Sequence, residues 1–232
     1  MSKIEILINA DDYKINYDSN NLIYTIEFNI PNPILIKSIL KPILIQGATT
    51  DENFKKIKFK AHSVKTLHQY LNENNNQLVN TSILLINSLS KQIQYLIKEE
   101  NYTFLGYSLD NIFVINEQKF IFLGIEYLKE INENEEILIS NPYSKNDFYI
   151  APELKNLISI PNYIHYKSGY FSLGCLVIRI LLGNNEFYDE YLINDNSVIE
   201  SLKTHLLKNT KIYWFLSRCL NKESKQRCIL FI

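Results

Sequence analysis

Residues 102–124 read YTFLGYSLDNIFVINEQKFIFLG, and the rest of the chain is organised around them. Residues 110–114, which end in the apolar Ile112-Phe113-Val114, and the apolar run 120–123 flank a polar turn at 116–119, which predicts a short β-hairpin. Loops next to such hairpins often carry catalytic groups, because a rigid scaffold holds them in place. The loop before this hairpin, residues 104–108, contains no His, Asp, Glu, Lys or Arg. The sequence therefore predicts the scaffold of an active site without its chemistry.

The composition is that of a globular protein without a charge bias. Of 232 residues, 46% are hydrophobic and 21% are charged, with a formal net charge of −1. This size suits one domain or two small lobes that share a core. The near-neutral balance gives no electrostatic reason to expect nucleic acid or an anionic membrane as a partner. The bias toward Ile, Asn, Lys and Tyr fits an AT-rich genome, such as that of a protist or a large DNA virus.

Cysteine and histidine usage predicts a reducing compartment and no metal site. The odd set Cys175, Cys219 and Cys228 is typical of free thiols rather than of a disulfide framework. The four histidines are scattered, and none has metal-ligand spacing. No signal peptide is recognisable, and the longest apolar stretch, residues 173–182, is too short to span a bilayer. We expect a cytoplasmic location or another reducing intracellular compartment.

The first part of the chain, to about residue 62, is rich in predicted strands. Period-two alternation over residues 3–8, 13–17 and 22–28 predicts an antiparallel meander. Residues 34–40 lie between prolines and fit either a short helix or a strand. Two further strands are predicted, at residues 43–45 and 56–60.

From Ser63 the apolar period becomes helical. Ser63 is a predicted N-cap for a helix over 64–71, and Thr81 or Ser82 for a long helix to about residue 98. Residues 170–182 are apolar nearly all round, which predicts a central buried helix ended by Gly183. Amphipathic segments follow at the two ranges 197–207 and 212–220. Strands followed by helices indicate an α+β architecture of two lobes.

The order of four landmarks resembles the protein kinase fold. In chain order they are a catalytic-loop-like segment at 107–114, Ala-Pro-Glu at 151–153, a core-helix-like segment at 171–187, and residues 215–220 followed by Arg227. The resemblance implies one kinase-like domain of two lobes. Residues 1–62 would form a small, reduced, β-rich N-lobe, and residues 63–232 a helical C-lobe.

The resemblance also implies a structural ion pair. In the family the Glu of Ala-Pro-Glu pairs with a late Arg, which here implies Glu153 and Arg227. Removing one partner of such a pair costs about 3–5 kcal/mol if the pair is buried. The alternative is that these are two unrelated surface charges.

Carried over residue by residue, the family's catalytic groups are absent. Asn111 matches the metal-binding Asn, although alone it is also an ordinary turn residue. Anchoring on Asn111 puts Gly106 at the catalytic Asp and Ser108 at the loop Lys, with Phe104 and Leu105 at the preceding His-Arg.

The metal-binding Asp-Phe-Gly segment has two possible registers, and neither supplies the Asp. They place either Phe122 or Gly124 at the Asp position. Glu126 is the nearest acid, either as a displaced ligand or as a solvated side chain. Ser168 or Gly169 stands where the family has the Asp that supports the catalytic loop.

The phosphate-binding parts are also absent from the first lobe. No glycine precedes Gly47, so a Gly-rich loop is missing there. Lys14 and Lys37 are candidates for the phosphate-pairing Lys, but neither has the expected sequence context.

The resemblance therefore implies a pseudokinase that binds no ATP or Mg²⁺ and acts on protein partners as a scaffold, allosteric partner or assembly component. The first alternative is an atypical phosphotransferase that uses Glu126, Asp110 or Asp147 as base or metal ligand. The second alternative is an unrelated α+β structural protein.

Overall fold

The computed structural model describes residues 4–74, 77–142, 151–155, 157–182 and 208–231. Within these residues the chain combines small antiparallel sheets with helices, so the predicted α+β class is confirmed. One large apolar cluster runs from Tyr13 to Ile229 and joins the strand-rich beginning to the helices. None of the helices in the described ranges is long and apolar enough to cross a membrane.

The first sheet has five strands in the order β1-β2-β3-β5-β4. They are β1 (Ile4–Asn9), β2 (Tyr13–Asp18), β3 (Ile23–Phe28), β4 (Thr49–Thr50) and β5 (Lys56–Lys60). The predicted meander of the first three strands is confirmed, with β2 antiparallel to both neighbours. Successive side chains of each strand point to opposite faces of the sheet. The apolar ones, such as Ile15, Ile26 and Ile57, are buried on the face toward the core.

The segment between the prolines is a helix, α1 (Pro33–Leu40). The Asn32 side chain accepts a hydrogen bond from the Leu35 amide at 3.0 Å, and Pro33 occupies the first turn, where no amide is needed. The strand predicted at residues 43–45 is wrong. Ile43 has a φ of +54° there, and the chain turns. The apolar pattern reflects burial of Leu44 and Ile45 in the core rather than strand pairing.

The helix predicted to start after Ser63 begins later. Val64–Thr66 forms β6, and α2 (Leu67–Glu73) follows it. Thr66 is the N-cap and makes a reciprocal capping box with Gln69. Ser63 is not the cap because the β-branched residues after it pair with the hairpin instead.

The predicted hairpin is confirmed as β8 (Ile112–Ile115) and β9 (Lys119–Phe122). Asn116 and Glu117 have φ values of +50° and +59° in its turn, and β6 pairs with β8 on the other side. The result is a three-stranded sheet in the order β6-β8-β9.

The long helix α3 (Leu78–Tyr95) packs against β9 and continues into a π-helical turn, Leu96–Glu100. The predicted caps Thr81 and Ser82 are wrong, because both are buried inside the helix. Ser82 donates to the Leu78 carbonyl at 2.8 Å, a bond within the helix.

The remaining elements surround the hairpin. Strand β7 (Tyr102–Phe104) pairs with β10 (Leu128–Glu130), and β11 (Glu136–Ile139) pairs with β12 (Asn162–His165). The helices are α4 (Pro152–Lys155), α5 (Ser168–Leu182) and α6 (Lys211–Cys219). Two 3₁₀ turns lie at Ile125–Tyr127 and Ser224–Gln226. The predicted buried helix is confirmed as α5. The predictions for Gly183 and for residues 197–207 lie outside the described residues.

Candidate functional site: an occupied asparagine and a filled loop

Asn111 lies just before β8, and other side chains hold both ends of its amide. The Tyr13 hydroxyl, on β2, donates to Asn111 Oδ1 at 2.8 Å. Asn111 Nδ2 donates to Glu126 Oε1 at 2.9 Å. A tyrosine from the first sheet therefore occupies the side-chain oxygen of Asn111.

The charge around Asn111 is acidic. Burial raises the pKa of Tyr13, and the nearby carboxylates Glu126, Asp110 and Asp12 raise it further. Partial desolvation of the Glu126 carboxylate raises its pKa as well, with Asp12 adding to the effect, although the side chain still reaches solvent. Like charges oppose one another at short range. The acidic side chains at this site therefore raise the pKa values of Tyr13 and Glu126, whereas the nearby Lys129 opposes the rise for Glu126.

The loop positions that match the family's catalytic residues have structural roles. Gly106 is buried and carries no side chain. The Ser108 hydroxyl accepts from the Asp110 amide at 3.3 Å, which forms a local turn. The Asp110 carboxylate is exposed and lies 3.1 Å from His68 Nδ1.

Phe122 ends β9, and a buried glutamine on α3 holds it by two hydrogen bonds. Gln92 Nε2 donates to the Phe122 carbonyl at 3.0 Å, and the Phe122 amide donates to Gln92 Oε1 at 3.0 Å. Gln92 Nε2 also lies 3.2 Å from the Ser38 hydroxyl on α1. One amide thus ties α1, α3 and the hairpin together.

Four aromatic rings fill the space between the loop and the end of the hairpin. We call Phe104, Tyr107, Phe122 and Tyr127 the aromatic cluster. Ring centroids lie 4.8 Å apart for Phe104 and Phe122, 5.0 Å for Tyr107 and Phe122, and 5.8 Å for Phe122 and Tyr127. The Tyr107 hydroxyl is buried and has no hydrogen-bond partner among the described residues. Apolar packing therefore determines this region, even where it leaves a polar atom unsatisfied.

Gly124 lies against the aromatic cluster, with no room for a side chain. A Cβ built on Gly124 would lie 2.3 Å from Phe122 Cζ and 2.7 Å from Tyr127 Cδ2. If Gly124 is the Asp-equivalent position, the Phe122 ring occupies the space that an aspartate would need.

Gly124→Ala should lower the free energy of unfolding by about 1–3 kcal/mol, because the methyl group must displace packed rings. Urea unfolding measures the change. In a Phe122→Leu background the same substitution should cost less, since the clashing ring atoms are gone. Equal costs in the two backgrounds would contradict the packing described here.

The first turns of α5, which begin at Ser168 and Gly169, pack directly against the loop before the hairpin. A Cβ on Gly169 would lie 1.9 Å from the Phe104 carbonyl oxygen, so the helix approaches the loop too closely for any side chain there. One turn along, the buried Ser172 hydroxyl donates to the Leu105 carbonyl at 2.7 Å. Ser172 therefore fixes the loop by a neutral hydrogen bond.

Glu153 on α4 and Arg227 form a bidentate ion pair. Arg227 Nη1 contacts Glu153 Oε1, and Arg227 Nη2 donates to Glu153 Oε2 at 3.1 Å. The Ser168 hydroxyl lies 2.6 Å from the same Glu153 Oε1. The Arg227 guanidinium also lies 4.9 Å from the centroid of the Phe171 ring, and its side chain is fully buried.

The electrostatics of this pair favour the carboxylate. Burial opposes ionisation of Glu153, but the hydrogen bonds and charge of Arg227, with help from Ser168, outweigh it and lower its pKa. The pair joins α4 to the chain after α6 and holds both against α5.

The other predicted candidates lie in ion pairs or outside the described residues. Lys14 Nζ lies 3.2 Å from Glu27, and Lys37 Nζ lies 3.3 Å from Glu100. Asp147 is outside the described residues. Where the structure is described, no group of three or more His, Cys, Asp or Glu side chains could hold a metal ion.

Sequence reasoning missed three residues that define this site: Tyr13, Gln92 and Ser172. Tyr13 is separated from Asn111 by 98 positions, so no local pattern joins them. Gln92 and Ser172 did leave a signal, because each is a polar residue on the apolar side of a predicted helix. Such residues are buried only with hydrogen-bond partners. Compared with known proteins, the chain matches no protein-family model and no curated protein significantly.

Proposed function

We propose that this chain is a kinase-like protein of two lobes whose nucleotide site is filled by its own side chains, and that it acts by binding other proteins. The first lobe is the strand-rich part, residues 1–62, and the second is the helical part, residues 63–232. In this role the chain is a pseudokinase that serves as a scaffold, allosteric partner or assembly component.

One observation carries the proposal: the amide of Asn111 is bound by Tyr13 and Glu126. A metal-bound nucleotide would need the Asn111 oxygen, which accepts the Tyr13 hydroxyl at 2.8 Å. Phosphoryl transfer depends almost wholly on positioned positive charge and metal ligands. Here the groups near Asn111 are carboxylates, and both candidate lysines are engaged elsewhere.

The Glu153–Arg227 pair supports the kinase-like part of the proposal. The two residues are 74 positions apart, yet they meet in the bidentate geometry that the resemblance implies. Their contact with α5 lies beside the loop that leads to the hairpin, since Ser172 on α5 binds Leu105. This arrangement is a structural anchor, and its energetic test is given in the Discussion.

A second candidate function is an atypical phosphotransferase. Asn111 and Glu126 lie 2.9 Å apart and both carry oxygen atoms, the ligand type that Mg²⁺ prefers. If Tyr13 moved away, these two side chains could contribute to a metal site. A metal ion also needs further ligands, which nucleotide phosphates would supply.

Thermal denaturation with ATP and Mg²⁺ or Mn²⁺ separates the two candidates. We expect an unchanged melting temperature, whereas a ligand at 100 times its Kd would add about 2.7 kcal/mol of stability. A rise that requires metal and disappears in Glu126→Gln would support the phosphotransferase. Any other saturable rise would also contradict the filled site.

A further inference from the structure

The outermost strand of the first sheet has one free edge. Within the described part of the chain β1 pairs only with β2, so its other edge has no strand partner. At the opposite side of the sheet, β4 is only two residues long. As far as the chain is described, the β1 edge therefore offers six residues of backbone without a strand partner, which is a template for another strand.

A bulge in β1 changes which of its isoleucines lie on the core side of the sheet. Ile4 pairs with Asp18 and Ile6 with Asn16, but the register then shifts and Ile8 pairs with Ile15. Residues opposite each other in an antiparallel pair share a face of the sheet. Ile8 therefore lies on the core side with buried Ile15, whereas Ile4 and Ile6 lie on the outer side.

The outer side of the neighbouring strand β2 is polar, which sets these isoleucines apart. The neighbouring strand contributes Lys14, Asn16 and Asp18 to that face. Ile4 and Ile6 are 64% and 61% exposed, and Leu7 at the bulge is 41% exposed. Exposed edges are normally protected by lysine, proline, a β-bulge, an inward-pointing charge or a covering segment. The bulge and Glu5, which lies opposite Tyr17, are such features of β1, but they leave Ile4 and Ile6 exposed. Residues 4–9 contain no lysine or proline.

The charge around this edge is negative and indicates the partner. Glu5 in the strand and Asp11 and Asp12 in the following turn are exposed. Lys14, opposite Asn9 on the neighbouring strand, pairs with Glu27 at 3.2 Å. A second copy would bring the same three carboxylates to a shared interface, and like charges across an interface disfavour association.

We propose that β1 is a docking edge for an extended segment of a different protein. The segment would add a strand to the sheet, cover Ile4 and Ile6 with aliphatic side chains, and carry Lys or Arg at its ends to face the carboxylates. This inference rests on the proposed role in protein binding but not on the filled nucleotide site, which the ATP experiment tests separately.

The test measures binding of a fluorescein-labelled peptide, Lys-Val-Thr-Val-Thr-Val-Lys, to the whole chain by fluorescence anisotropy. We expect saturable binding that weakens about tenfold or more in the double variant Ile4→Ser, Ile6→Ser, because the covered apolar area is lost. The control variant Ile30→Ser, 77% exposed elsewhere on the chain, should bind as the native chain does. Thermal melts of each variant verify folding.

Two further peptides separate strand addition from simple adhesion. A version with alternate N-methylated residues cannot complete the backbone hydrogen bonds and should not bind. A version with Glu in place of both Lys should bind more weakly than the original. Absence of saturable binding, or equal binding of the N-methylated peptide, would overturn the proposal. Dimerisation by sedimentation that disappears in the double variant would assign the edge to a second copy instead and would equally overturn it.

Discussion

Glu153→Ala should lower the free energy of unfolding by about 3–5 kcal/mol, because it leaves the Arg227 guanidinium buried without its carboxylate. The Arg227 side chain has no solvent exposure in the folded chain, so its charge depends on the groups packed around it. The carbonyl oxygens of Asn221 and Lys222, at 2.8 and 3.3 Å, still accept hydrogen bonds from it but carry no compensating charge. The variant should therefore lose a large part of the stability of a typical domain.

Urea unfolding of the native chain and the variant measures this effect. Glu73→Ala is the matched control, because Glu73 forms an ion pair with Lys65 that is open to solvent. Removing an exposed pair of that kind costs about 1 kcal/mol or less. If the two variants lost similar small amounts, Glu153 and Arg227 would be ordinary surface charges and the kinase-like assignment would lose its anchor.

The same pair predicts a pH dependence. The pKa of Glu153 is lower in the folded chain than in an ordinary glutamate, because Arg227 outweighs the cost of burial. Its contribution to stability is therefore fully present above the ordinary glutamate pKa and is lost as the pH falls through the folded value. The stability difference between the native chain and Glu153→Ala should shrink over that acidic range.

Gln92→Leu should lower the free energy of unfolding by about 1–3 kcal/mol for each Phe122 backbone group that it leaves unsatisfied. Gln92 is fully buried and satisfies both the amide and the carbonyl of Phe122. Leucine has a similar volume but cannot form either bond. The end of β9 and the aromatic cluster beside it should therefore loosen together.

Hydrogen exchange of the Phe122 amide reports this loosening directly and should become faster in the variant. The control is Gln94→Leu, two positions away on the exposed side of α3, which should change neither stability nor exchange much. Unchanged exchange at Phe122 in Gln92→Leu would mean that the glutamine does not hold the strand.

Regular periodicity made much of the fold predictable. Alternation located β1, β2, β3 and β5, and a nearly uniform apolar surface located α5. These predictions succeed because burial of one face leaves a period in the sequence, whereas burial of all faces leaves a continuous apolar run. The hairpin was equally clear, since a polar turn separates its two apolar strands.

The errors share one physical origin, which is that tertiary pairing overrides local preference. Val64–Thr66 continues a helical pattern but joins β8 as a strand. Residues 43–45 have strand composition, yet Leu44 and Ile45 are buried in a turn. Thr81 is a good cap residue that lies inside α3, because the helix starts one turn earlier.

The candidate site was also predictable only in part. The lack of charged residues at 104–108 can be read from the sequence, but the side chains that replace them cannot. Tyr13 reaches Asn111 across 98 positions, and Gln92 reaches Phe122 across 30. Only the packing of the first sheet and α3 against the hairpin brings these pairs together.

Equilibrium dialysis of the native chain against labelled ATP with excess Mg²⁺ tests the filled site most directly. With Asn111 bound by Tyr13 and Glu126, and with both candidate lysines in ion pairs elsewhere, no saturable binding is expected. The nucleotide concentration should then be equal on both sides of the membrane at every concentration tested. Saturation at one nucleotide per chain would contradict the account.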